Sequence, residues 1–159
     1  MIVLGLDAST WHIGYAIYNT ETGKLGASGE HKLTREEPEQ RLYEAVQAVE
    51  MTTVFCRQHA GLDVVAIERP FVGMNRKTAL LLGMLYGALV VSCRSWKLVP
   101  VTPAEAKLAA TGRGNADKKL VRQMIMAQFG LNVPIGEHQA DAVAVALAAA
   151  GKVKEASYA

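Results

Sequence analysis

The chain opens with Met1-Ile-Val-Leu-Gly-Leu-Asp7, a run without a polar side chain until it meets a bare carboxylate. An apolar run that does not alternate predicts a strand covered on both faces, over residues 2–8 at the centre of a sheet. Residues 14–18 form a second expected strand. Turn chemistry follows in Asn19-Thr-Glu-Thr-Gly23, and a third strand covers residues 24–33, so these three read as an antiparallel meander. Pro38 opens a long helix over residues 38–59. In it Leu42, Val46, Val49, Thr53 and Cys56 recur at alternating four- and three-residue intervals and predict one buried stripe. Gly61 ends that helix, and a fourth strand spans residues 62–68. An apolar helix near residues 77–94 and a fifth strand over residues 98–102 come next. Thr102-Pro-Ala-Glu105 has the form of a capping box with proline in the first helical position, so a short helix begins there. Asn115 is expected to cap a helix that ends at Phe129, stopped by Gly130. A last helix covers residues 137–150, and the small, polar residues after Gly151 are expected to fray. The fold class is therefore α/β: a mixed five-stranded sheet flanked by helices. It is one domain over residues 1–151 with a short tail, 152–159.

Composition narrows the picture. The 159 residues are 50% hydrophobic and 20% charged, which suits one soluble domain with a real core. Cys56 and Cys93 sit in apolar contexts with no disulfide framework, and the N-terminus begins with a strand instead of a signal peptide. Both point to a reducing cytoplasm. Thr78 to Cys93 is an uncharged run of 16 residues, short of the ~20 that a bilayer needs, so it reads as a helix of a soluble protein with no membrane association.

The carboxylates carry the chemistry. Asp7 ends the first strand in apolar surroundings, where an unpaired charge is costly, so it needs a cation, a strong donor or a metal. Glu68 ends the fourth strand, and active sites of such sheets gather at strand ends. Alone, either one also reads as a strand-end carboxylate capping a turn. His138 and Asp141 are spaced to share one face of the last helix. Singly, Asp141 is also a residue favoured by the helix dipole, and His138 a structural histidine. Taken together, crowded carboxylates repel one another, and oxygen-liganded divalent cations are the usual resolution. Two such ions can clamp the attacking and leaving oxygens of a phosphodiester, and a histidine ligand tilts preference from Mg²⁺ towards Mn²⁺. His12, Asp63 and Asp117 are weaker candidates.

Four blocks in this order resemble the RuvC-type Holliday-junction resolvases, which have the RNase H-like fold. They are Gly5-Leu-Asp7 with Gly14-Tyr-Ala16; Ile67-Glu68-Arg-Pro-Phe71 with Asn75; Lys107 with Gly114-Asn-Ala-Asp-Lys118; and His138-Gln-Ala-Asp-Ala142. The resemblance covers nearly the whole chain. It implies that Asp7, Glu68, His138 and Asp141 are catalytic and bind two Mg²⁺ or Mn²⁺ ions, the third position being aspartate or histidine among members. It implies a homodimer that resolves four-way DNA junctions by paired symmetric nicks, leaving 5′-phosphates, in DNA recombination and repair. Members commonly have Asp-Pro-Gly where this chain has Asp7-Ala8-Ser9. That departure alters the turn and keeps the ligand, and it points to a divergent, phage-encoded member.

Charge is unevenly placed. The chain carries +2, yet from Arg94 to Arg122 there are seven basic residues and two acidic ones. Lys118 and Lys119 in a first helical turn, with its free N–H groups, make a phosphate site, and Gly112 and Gly114 allow close approach. The plainer reading is a solvated basic face. The resemblance implies that Lys107 and Lys118 touch the phosphate backbone; Arg113 and Lys119 extend the DNA-binding patch. Phe71 lies beside the site, either as a core aromatic or, as the resemblance implies, as a wedge that stacks on junction bases. The helix near residues 77–94 is apolar all round, and Gly83 and Gly87 on it would admit a partner helix, marking a dimer interface. Two other functions stay open: a relaxed nuclease of forks, flaps and D-loops, and a non-catalytic junction-binding protein. RuvC-type enzymes can work with a branch-migration motor, but no residue here points to one.

Overall fold

The structure, a computed structural model, describes residues 1–71 and 75–157. Five strands, β1 (Ile2–Ala8), β2 (His12–Asn19), β3 (Lys24–Lys32), β4 (Val64–Glu68) and β5 (Lys97–Val101), form one sheet in the order β3-β2-β1-β4-β5. The meander β1-β2-β3 is antiparallel, while β4 and β5 add parallel to β1. The helices are α1 (Pro38–His59), α2 (Arg76–Ser92), α3 (Pro103–Thr111), α4 (Lys118–Phe129) and α5 (Glu137–Ser157). Among the described residues no helix is long and apolar enough to cross a membrane.

Strand alternation divides the interior into two cores. Leu4 and Leu6 of β1, Ile13 and Ile17 of β2, and Val65 and Ile67 of β4 face α1 and α2. Val3, Ala16, Val64, Ala66, Val99 and Val101 face the other way, towards α3, α4 and α5. Asp7 continues the series Val3-Gly5-Asp7, and Glu68 continues Val64-Ala66-Glu68. Both carboxylates therefore belong to the α5 face. The register Leu6↔Ile67 leaves them side by side at the C-terminal ends of adjacent parallel strands.

Helix α5 is the central element of that face. Its residues from Ala142 to Ala146 and from Ala148 to Ala150 are all buried. It comes very close to β1 and β2 because two glycines leave room. A Cβ at Gly5 would strike the Ala142 carbonyl and lie 2.7 Å from the Ala146 nitrogen, and one at Gly14 would strike the His138 carbonyl. Gly14 is also the cross-strand partner of Asp7. The absent side chain at Gly14 thus lets the first turn of α5 settle beside Asp7.

The capping box at Thr102 and Glu105 forms as expected, and Gly130 ends α4 in the left-handed conformation. Three expectations change. α4 is capped by Asp117, whose carboxylate accepts from the Leu120 N–H at 2.7 Å, instead of by Asn115. Ala116 is buried in a turn closed by its N–H to the Arg113 carbonyl, which delays the helix start. The buried stripe of α1 is rotated and runs through Arg41, Ala45, Val49, Thr52, Thr53 and Cys56, with Leu42 and Val46 at its margin. Arg41 can be buried because its guanidinium donates to the Arg35 and Glu36 carbonyls, each at 2.8 Å, and stacks on Trp11. Finally, α5 does not stop at Ala150. Val153 is buried, and the Lys152 ammonium bonds the Pro100 carbonyl at 2.9 Å and Glu105 at 2.8 Å, holding another turn on the domain. Residues 158 and 159 of the expected tail lie outside the described residues.

Candidate active site

Asp7 and Glu68 end their strands at one mouth of the sheet, and α5 brings His138 and Asp141 over them. A cleft of about 400 Å³ opens there, and Asp7, Glu68, His138, Asp141, Lys107, Lys118 and Phe71 all line it. The spacing of His138 and Asp141 does put both on the face that looks into the cleft.

The partner that Asp7 needs is, in the first instance, His138. Asp7 is 8% exposed, and its Oδ2 lies 2.6 Å from His138 Nδ1. The carboxylate hydrogen bond raises the imidazole pKa against the pull of burial. The ring is also backed by His12, stacked on it at 5.0 Å between centroids. The other two acids are less well served. Burial, then the charges of Asp7 and Asp141, push Glu68 up to about 8. Burial, then Asp7, push Asp141 up to about 6, against the opposing pull of Lys118. Lys118 sits 3.7 Å from Asp141 and is ion-paired to Glu137.

This donor set fits a hard divalent cation chemically. It consists of oxygen ligands with one imidazole, crowded so that the Asp7 charge discourages ionisation of both Glu68 and Asp141, and a cation in the cleft would relieve that crowding. Among the described residues no three of these side chains yet converge on a single point. Asp7 and His138 turn towards each other, and their hydrogen bond engages Asp7 Oδ2 and His138 Nδ1.

The remaining expected residues are placed as follows. Phe71 is 77% exposed at the rim, which rules out the core-aromatic reading. Lys118 and Lys119 occupy the first turn of α4, and together with Arg122 and Glu137 they line a shallow groove next to the cleft. Arg113 is exposed in the turn between α3 and α4 and is not among the cleft residues. Gly83 and Gly87 are not among the cleft residues; both are exposed on α2, with nothing within 4 Å of where a Cβ would stand. Sequence reasoning missed three features. It ranked His12 as a weak ligand and did not see it as a ring behind His138. It did not see Glu137 as the partner of Lys118. It also gave no role to Leu82 and Tyr86, through which α2 reaches the cleft. Glu137 directly precedes His138, but the pairing joins α4 to α5 and has no local signature.

The family model of the crossover junction endodeoxyribonuclease RuvC matches residues 3–149. A RuvC of Caldicellulosiruptor saccharolyticus is 32% identical over 155 residues, spanning 92% of this chain and 90% of its own length. One from Campylobacter jejuni is 32% identical over 97% of this chain and 98% of its own length. The Thermus thermophilus RuvC structure superposes with a TM-score of 0.81 at 25% identity, covering 98% of this chain and 97% of that one. The yeast mitochondrial Holliday junction resolvase Ydc2 shares the fold, with a TM-score of 0.65 at 15% identity over 96% of this chain and 80% of its own. The chain belongs to the RuvC family of crossover junction endodeoxyribonucleases.

Proposed function

We propose that this protein resolves four-way DNA junctions by paired, symmetric, metal-dependent nicks that leave 5′-phosphates. The observation that carries this reading is the meeting of Asp7, Glu68, His138 and Asp141 in one cleft that Lys107 and Lys118 also line. The names of its relatives support the substrate, and one solved relative of the same fold is a Thermus thermophilus RuvC in complex with Holliday junction substrate.

Asp7, Glu68, His138 and Asp141 would hold two Mg²⁺ or Mn²⁺ ions, which when bound activate water and stabilise the leaving 3′ oxygen. The chain's own groups do the rest. Lys107 and Lys118 set the scissile phosphate over the carboxylates. Arg113 and Lys119 carry the backbone further along the basic patch, where contacts position the DNA without reading its sequence. Phe71, exposed at the rim, stacks on bases at the junction centre. The Asp7–His138 hydrogen bond fixes which imidazole nitrogen faces the carboxylate and leaves the other for a ligand.

The unit of function is a homodimer formed through α2, whose Leu80, Met84 and Val91 are exposed on the side that carries Gly83 and Gly87. A two-fold axis between two clefts matches the symmetry of a four-way junction. The enzyme acts in the cytoplasm. A synthetic mobile junction incubated with Mg²⁺ and then Mn²⁺ should be cut into nicked duplexes that ligase seals, while a fork beside it is cut far more slowly. Asp7→Asn should abolish cleavage and keep junction binding. Normal cleavage by that variant would overturn the mechanism, and equal cutting of the fork would favour a relaxed branched-DNA nuclease.

A further inference from the structure

Glu137 is a carboxylate set among cations. Lys118, Lys119 and Arg122 line the groove that it shares, and its Oε1 is ion-paired to the Lys118 ammonium. Both partners are about half exposed, at 58% and 52% of their side chains, so the pair is open to solvent and can be exchanged. Lys118 lies at the junction of this groove and the catalytic cleft, since it lines both. Its ammonium is also 3.7 Å from Asp141. A phosphate entering the cleft along the basic groove must meet Lys118, and that ammonium already has an anionic oxygen on it. A carboxylate and a phosphate offer a lysine the same contact, two or three negative oxygens around a point charge.

We propose that Glu137 sets how readily DNA occupies the cleft: it holds Lys118 as a stand-in for DNA phosphate, and every phosphate that docks at this corner must displace it. This rests on the reading of Lys118 as a phosphate contact. The displacement weakens all DNA binding at the corner by a similar factor. Its effect on occupancy is unequal. A junction, bound tightly through many contacts, stays saturated at enzyme concentrations above its Kd. Unbranched duplex, bound through backbone charge alone, lies far from saturation and loses occupancy in proportion to the lost affinity. Glu137 thereby keeps the catalytic carboxylates away from ordinary duplex without adding a contact to the junction.

The test is a double-mutant cycle on the full chain. Anisotropy titrations with labelled unbranched duplex and labelled four-way junction, in EDTA at fixed salt, compare wild type, Glu137→Gln, Lys118→Gln and the double variant. Glu137→Gln should tighten duplex binding about two- to fivefold, the range open to a partly exposed ion pair. The gain should vanish in the Lys118→Gln background. With Mg²⁺ at an enzyme concentration between the two Kd values, Glu137→Gln should raise duplex nicking by about the factor by which it tightens duplex binding. Unchanged or weaker duplex binding by Glu137→Gln, in a protein of normal melting temperature, overturns the proposal. So does a gain that persists without Lys118, because that is general charge repulsion. If Lys118→Gln alone leaves both affinities intact, the reading of Lys118 as a phosphate contact falls, and this inference falls with it. If Lys118→Gln weakens binding and Glu137→Gln does nothing, only the inference falls.

Discussion

Helix α5 buries a continuous run of alanines and valines on every side, from Ala142 to Ala146 and again from Ala148 to Ala150, whereas α2 buries Leu85 and Leu89 and leaves Leu80, Met84 and Val91 in solvent. As sequences the two are alike, apolar all round and without an evident polar face. Side-chain size separates them. The small residues of α5 let its backbone press onto Gly5 and Gly14, so strands β1 and β2, α3 and α4 can all surround it. The leucines and methionine of α2 hold it away from the sheet. It packs chiefly on α1, and its outer face remains bare. A uniformly apolar helix of small residues can thus become the axis of its domain, whereas one of larger residues keeps an uncovered apolar face.

The same substitution should therefore act oppositely in the two settings. Gly5→Ala drives a methyl into the backbone of α5 and should cost about 3 kcal/mol or more, at the upper end for overpacking a rigid core. Urea unfolding would measure it, and a loss below about 1 kcal/mol would mean that α5 yields more easily than its contacts imply. Next in size, Met84→Glu puts a charge on the bare face of α2. If that face joins two protomers, the dimer dissociation constant should rise by about two orders of magnitude, the scale of a central interface residue. Sedimentation equilibrium would show it, and a wild-type protein that is already monomeric at micromolar concentration would break the comparison.

A third difference lies at the N-terminus of α5, where the carboxylates gather; α2 has no acidic residue in its first turn. The folded pKa of Glu68, about 8, stands above its ordinary 4.5, and that of Asp141, about 6, above 3.8. A raised carboxylate pKa means that the folded state holds the proton more tightly. The associated stability is full below the ordinary values and is lost as pH climbs towards 6 for Asp141 and 8 for Glu68. The melting temperature of the metal-free protein should fall across this range. Glu68→Gln should flatten the fall and raise the melting temperature at pH 8 by a few degrees, roughly 1 kcal/mol, while abolishing cleavage. Adding Mn²⁺ to the wild type should recover the loss. A metal-free melting temperature that rises with pH would contradict the crowding. The smallest effect is expected on α2. In the Met84→Glu background, Gly87→Ala should stabilise the monomer by about 0.5–1 kcal/mol through helix propensity, since nothing lies within 4 Å of the new methyl.

Local signals were legible wherever one residue decides the outcome. Pro38, the Thr102–Glu105 box and Gly130 each mark a helix boundary that the structure keeps. Strand-end position and helical spacing, which follow from short-range geometry, singled out Asp7, Glu68, His138 and Asp141, and the four ordered blocks of the family resemblance joined them into one site. What sequence could not reveal depends on partners far along the chain. Arg41 enters the core only because Trp11 and two loop carbonyls receive it. The stacking of His12 on His138 and the pairing of Lys118 with Glu137 likewise join separate elements. The direct Asp7–His138 bond was not foreseen either, since both had been assigned to an ion instead of to each other.

The parallel pairing of β1 with β4 acts as a ruler. Leu6 lies beside Ile67, so Asp7 and Glu68 leave the sheet one strand spacing apart, about 4.8 Å between neighbouring backbones. That interval is set by main-chain hydrogen bonds and is indifferent to the side chains along either strand. Sequence can drift widely around such a gauge without changing the gap between the two carboxylates. A single-residue deletion within β4 would be another matter, because the pleat would carry Glu68 to the opposite face and leave Asp7 measuring against nothing.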